Sequence, residues 1–351
     1  MRPGLKSGAV RAGVRFALVA GLVVTLGTGF PAYAGDPKTG DDTGTGGQPP
    51  ADPGGAPGSK SGGNSGNGSV GAHIQINQSR TGGSGSSTSR ATSSNANWKP
   101  PVCWYEPMYT PDEYEDFIKS SYKGAQEPAA SYAKKRADED YHKGDKGLWW
   151  QVQFRNDNYT DACPVTPDNW EIWIPPAQPK ADPNQLTPEI LSELAYNSTK
   201  LPKPPVVLNP SANHLKVNVG TRVKFEGNFD RVWTTASINY KGVAMAATTV
   251  ATPVALRVDA GTSDADPQSC TYDLVKGNDG YTVDSKDAAC NVTYQRSSGT
   301  GTYPFVASIT WNVTWTDSAD PDGPARQPGL PDGLSTYEQN VTVKEIQAVN
   351  R

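Results

Sequence analysis

From Phe305 to Thr316 the chain alternates Phe305, Ala307, Ile309, Trp311, Val313 and Trp315 with Val306, Ser308, Thr310, Asn312 and Thr314. A period of two puts one set on each side of an extended strand, so the bulky set must face a core. The same pattern runs through Leu215-Lys216-Val217-Asn218-Val219 and Val223-Lys224-Phe225, and Tyr240-Lys241-Gly242-Val243 places a two-residue turn between strands. Roughly seven short strands over residues 205–351 are expected, which fits a β-sandwich of immunoglobulin type.

Residues 99–180 read differently. Trp104, Tyr105, Tyr109, Tyr114, Phe117, Trp149, Trp150, Phe154, Trp170 and Trp173 crowd into this stretch. Thr110-Pro111-Asp112-Glu113 supplies an N-cap, a first-turn proline and two acids ahead of Tyr114, Phe117 and Ile118, which predicts a helix from Pro111 to Tyr122. Glu127 to His142 is helix-permissive, and Leu148 to Phe154 and Glu171 to Ile174 read as strands. The unit is a small aromatic-rich α+β module. Residues 181–204 form a helical, proline-rich connector, with a capped start at Thr187-Pro188-Glu189.

The amino-terminal part sets the address. Arg2, Lys6, Arg11 and Arg15 precede the apolar run Phe16 to Thr25 and the triplet Ala32-Tyr33-Ala34, so residues 1–34 read as a secretory signal. Residues 35–98 are rich in Gly, Ser, Asn, Thr and Pro with one apolar island at Ile74 and Ile76; they read as a disordered tether with a reach of about 40–50 Å. No run is long enough for a transmembrane segment. The mature chain carries 28 basic against 36 acidic side chains, net −8, which argues against nucleic acid as a partner.

Cys103, Cys163, Cys270 and Cys290 are an even set in a chain bound for an oxidising compartment, which favours disulfides. Three connectivities exist. Cys103 with Cys163 and Cys270 with Cys290 is favoured, because each pair then falls inside one expected unit, and each closed loop adds about 3–4 kcal/mol.

Three stretches carry a family resemblance. Cys103-Trp104-Tyr105-Glu106-Pro107 with Tyr109-Thr110-Pro111, then Leu201-Pro202-Lys203-Pro204-Pro205-Val206 leading to Leu208-Asn209-Pro210, and Cys290-Asn291-Val292-Thr293-Tyr294 followed by Ile309 to Trp315, resemble segments of a family of secreted proteins from Streptomyces and related actinobacteria. That family ends in a domain similar to the polycystic kidney disease (PKD) fold, and the resemblance covers most of residues 98–351. It implies export and a carboxy-terminal PKD-like β-sandwich, and it brings no catalytic residues.

The residues themselves offer few sites for chemistry. His73, His142 and His214 are too scattered for a zinc site or a hydrolase triad, and no cofactor-binding fingerprint occurs. Glu106, Asp112, Glu113, Glu115 and Asp116 could supply the paired acids of a glycosidase, or simply a solvated helix start. Asp317, Asp320 and Asp322 form an acidic loop that is a weak calcium candidate and otherwise an ordinary turn. Trp104, Tyr105, Trp149 and Trp150 are the candidates for an exposed aromatic binding surface, since adjacent tryptophans on one strand face opposite sides, or simply the core that a small module needs.

Three functions remain open at this point. The first is a secreted, extracellular or cell-wall-associated protein, more non-enzymatic than not, that binds an extracellular protein or polysaccharide without a cofactor. The second is a polysaccharide or cell-wall hydrolase with carboxylate chemistry in residues 99–180. The third is a component or cargo of a surface-assembly or export system.

Overall fold

The computed structural model describes residues 66–80, 88–127, 129–155, 163, 166–176, 182–227 and 229–346. The expected signal sequence and residues 35–65 lie outside them.

The main strands are β1 (Gly66–Val70), β2 (Ile74–Arg80), β3 (Thr92–Ser93), β4 (Cys103–Tyr109), β5 (Leu148–Phe154), β6 (Glu171–Ile174), β7 (Val232–Tyr240), β8 (Val243–Asp259), β9 (Ser269–Asp273), β10 (Tyr303–Thr316) and β11 (Gly333–Val341). The helices are α1 (Pro111–Ser121), α2 (Ala129–Asp138) and α3 (Pro188–Ser198). The chain is mainly β. One curled sheet of eight strands runs in the order β1-β2-β7-β8-β10-β11-β3, with β9 also paired to β8. A second sheet, β4-β5-β6, is antiparallel throughout.

Local chemistry explains the elements. Thr110 accepts the Glu113 amide at 3.4 Å while Glu113 Oε2 accepts the Thr110 amide at 2.8 Å, a closed capping box, and Pro111 opens α1. Tyr114 and Ile118, one turn apart, are the buried face of that helix. Thr187 caps α3 in the same way, accepting the Ile190 amide at 3.2 Å. Lys241 and Gly242 turn β7 into β8 with positive φ at both positions, which matches the twist of a two-residue hairpin.

Two parts of the large sheet have different covers. Leu208, Val223, Phe229, Val283 and Tyr294, from short two-stranded ribbons and loops, pack with Leu256, Val258, Phe305, Ile309 and Trp311. In the second core Ile190, Leu191 and Leu194 of α3 join Trp104 and Trp150 of the small sheet, Ile74 and Ile76 of β2, and Ala236, Ile238, Ala247 and Trp315 of the large one. Residues 99–180 and the strands beyond 205 therefore share a core, and the connector helix lies inside it.

The tether reading of residues 35–98 needs correction from Gly66 onward. Residues 66–80 form a hairpin whose second strand pairs with β7 from Ser237↔Gln75 to Val232↔Arg80. Ile74 and Ile76 supply the reason: at 0 % and 6 % exposure they fill the second core. The expected strand from Leu215 to Val219 is shorter, ending at Lys216, because Asn218 takes a φ of 60° and breaks the extension. Helix-permissive Glu127 to His142 yields α2 and then a left-handed turn at Asp140, Tyr141 and His142.

Candidate functional site

The four aromatic candidates for a binding surface are all internal, as core packing would have them. Trp104, Tyr105, Trp149 and Trp150 are 0 %, 3 %, 1 % and 4 % exposed. Trp149 and Trp150 do face opposite sides of β5, but both sides are covered. Trp149 stacks on Tyr114 of α1 at 4.1 Å and lies under the Arg136 guanidinium at 4.9 Å, while its Nε1 donates to the Tyr141 carbonyl at 3.0 Å. Trp150 packs in the core shared with α3. Aromatic density here builds two cores, and these residues cannot form the binding surface.

The acids divide by environment. Glu106 is fully buried: Oε1 accepts Trp104 Nε1 at 2.7 Å, and Oε2 accepts the amides of Ala72 and His73 at 3.2 and 2.8 Å. Burial pushes its carboxyl up to about 6, against the pull of those three donors. Glu106, Gln151 and Glu171 stand in register across β4, β5 and β6 and so share one face of the small sheet. Glu171, 1 % exposed, accepts Tyr132 Oη at 2.5 Å and Gln151 Nε2 at 3.0 Å, and burial raises its pKa. Tyr132 in turn shares a 2.7 Å hydrogen bond with Tyr114. Neither carboxyl reaches solvent, so the row lacks the water access a hydrolase needs.

On α1, Glu113 is ion-paired with Lys241, and this pair holds its carboxyl below the usual range. Glu115 is paired with Lys119 at 2.6 Å and with Lys143. Asp112 and Asp116 are exposed on the same helix.

A groove of about 950 Å³ opens beside α1. Its lining comes from three elements. Met108 and Tyr109 end β4; Glu113, Asp116, Phe117, Lys119 and Ser120 belong to α1, with Lys123 just beyond it; Tyr240 and Lys241 form the β7–β8 turn. Packing fixes its aromatic wall: Tyr109 stacks on Phe117 at 4.8 Å, and Tyr240 stacks on His73 at 3.7 Å. The Glu113–Lys241 pair ties helix to turn. Three aromatic rings beside charged and hydroxyl groups can bury an apolar ring face while hydrogen bonding its edges. Helical spacing could have pointed to Glu113, Asp116, Phe117 and Ser120 as one face. Nothing in the sequence could have brought Tyr240 and Lys241 to them.

The acidic loop does not converge on an ion. Asp317 pairs with Arg326 at 2.6 Å and Asp322 with Arg231 at 2.7 Å, while Asp320 Oδ1 accepts the Asp322 amide at 2.9 Å. Asp317 and Asp322 are each turned to a different arginine, and among the described residues no three acidic, histidine or cysteine side chains come together as a metal site. The disulfides join Cys103 to Cys163 and Cys270 to Cys290, with Cα separations of 6.2 and 5.5 Å. Among the described residues no helix is long and apolar enough to cross a membrane. Comparison with protein-family models, with curated proteins and with solved structures finds no significant match.

Proposed function

We propose that the protein is a secreted, non-enzymatic binding protein that holds a cell-envelope polymer in the groove between α1 and the β7–β8 turn. The observation that carries this reading is the aromatic wall of Tyr109, Phe117 and Tyr240 set against Asp116, Lys119, Ser120 and Lys123 in one open groove. The engagement of Glu106, Glu113, Glu115 and Glu171 in internal hydrogen bonds or ion pairs supports binding over acid catalysis. The two disulfides fit an oxidising compartment. Residues 35–65 act as the tether in this reading.

The finer assignment of residues 205–351 to an immunoglobulin- or PKD-like sandwich belongs to the same proposal. It is supported by the alternation along β10, by the short ribbons packed against the long strands, and by the resemblance to secreted actinobacterial proteins.

The test is retention of the mature chain on insoluble peptidoglycan, chitin and cellulose, with soluble sugar assayed in the same tubes. Retention without sugar release is expected, falling about ten-fold or more in Phe117→Ala and Tyr240→Ala. Release of sugar would replace this reading with the hydrolase, and unchanged retention in both variants would move the site away from the groove.

A further inference from the structure

Resting on that reading, we propose that the groove takes a polymer carrying both free carboxylates and free ammonium groups beside its sugar rings: a peptide-substituted glycan of the peptidoglycan kind rather than a neutral glycan. The argument lies in which charges of the groove are already answered. Glu113 is satisfied by Lys241, and Lys119 by Glu115. Asp116 and Lys123 have no ion pair and no side-chain hydrogen bond among the described residues, and both are exposed on the lining of the groove. They stand about two helical turns apart in sequence, with Phe117 and Ser120 between them.

One free anion and one free cation flanking an aromatic wall complement a ligand that offers an amine and a carboxylate on either side of an apolar ring face. A neutral glycan would cover the rings and offer hydroxyls to both charges, but would leave each charge without a counter-charge. A polyanion would meet Asp116 and, at longer range, a mature chain of net charge −8. A polycation would meet Lys123.

The experiment compares retention of the full mature chain on peptidoglycan, chitin and cellulose, for the wild type, Asp116→Asn and Lys123→Gln. Both side chains are solvent-exposed, so unchanged thermal unfolding is the control for fold. The expected result is stronger retention on peptidoglycan than on chitin or cellulose, reduced about two- to five-fold by each substitution, as for an exposed ion pair, and reduced also by molar salt. Retention on chitin and cellulose should not respond to salt. Equal retention on all three polymers, or a peptidoglycan preference that ignores both variants and salt, would overturn the amphoteric ligand while leaving the binding reading standing. Retention on none of the three would overturn both.

Discussion

At Glu106 one carboxylate oxygen accepts an indole N–H and the other accepts two backbone amides from the β1–β2 turn, all out of contact with water. The turn is built around it. A β-carbon at Gly71, whose φ is +67°, would lie 1.9 Å from Glu106 Oε1, so both the backbone conformation and the space require glycine there. Because the folded carboxyl titrates near 6 and the unfolded one near 4.5, the native state binds more protons between those values. Its contribution to stability therefore increases as pH falls from about 6 to about 4.5, and above 6 the buried charge costs about 2 kcal/mol. Glu171 shifts in the same direction, and His73, whose pKa burial lowers, titrates in the opposite one. The prediction concerns the difference between wild type and Glu106→Gln: denaturant unfolding from pH 4.5 to 7 should show the wild type gaining about 2 kcal/mol on the variant as pH falls. A pH-independent difference would mean that Glu106 ionises as an ordinary surface carboxylate.

Among the elements, the β1–β2 hairpin joins the two sheets most directly. It adds an edge to the large sheet through β7, while its turn hydrogen bonds to Glu106 of the small one and its two isoleucines enter the common core. Ile74→Ala should cost about 2–5 kcal/mol, the range for emptying a fully buried aliphatic site. A loss below 0.5 kcal/mol in urea unfolding would show that the hairpin is peripheral. Helix α1 has the complementary role, since its capping-box glutamate is also the partner of Lys241. Thr110→Ala should remove about 1 kcal/mol and loosen the end of the groove, seen as weaker retention on the polymer that the wild type binds.

The shared core implies that the molecule from Gly66 to Ile346 unfolds as one cooperative unit. Tyr105, Trp150 and Val152 of the small sheet lie in one cluster with Ala236, Ala247 and Trp315 of the large sheet, so parting them would expose apolar surface on both. Calorimetry should give a single transition, and residues 205–351 expressed alone should be markedly less stable than the whole chain. Two separated transitions would restore the picture of independent modules. The disulfides close loops of 60 and 20 residues in sequence, so loss of either should lower stability by about 3–4 kcal/mol.

Much of the local structure was legible in the chain itself, because it depends on neighbours a few residues apart. The capping signals placed the starts of α1 and α3, the period of two placed β10, and the Lys241-Gly242 turn set the β7–β8 register. Even the cysteine pairing followed from their grouping. The tertiary structure decided what local signals do not encode: which faces meet. Composition marked residues 66–80 as too poor in apolar surface to fold, yet Ile74 and Ile76 suffice once β7 offers unpaired amides and a core to enter. It left open whether Trp104, Tyr105, Trp149 and Trp150 form a surface or a core, because a strand has two sides and only packing decides whether both are covered. The groove itself joins residues more than a hundred positions apart, Glu113 to Lys241, through a contact that no periodicity along the chain can express.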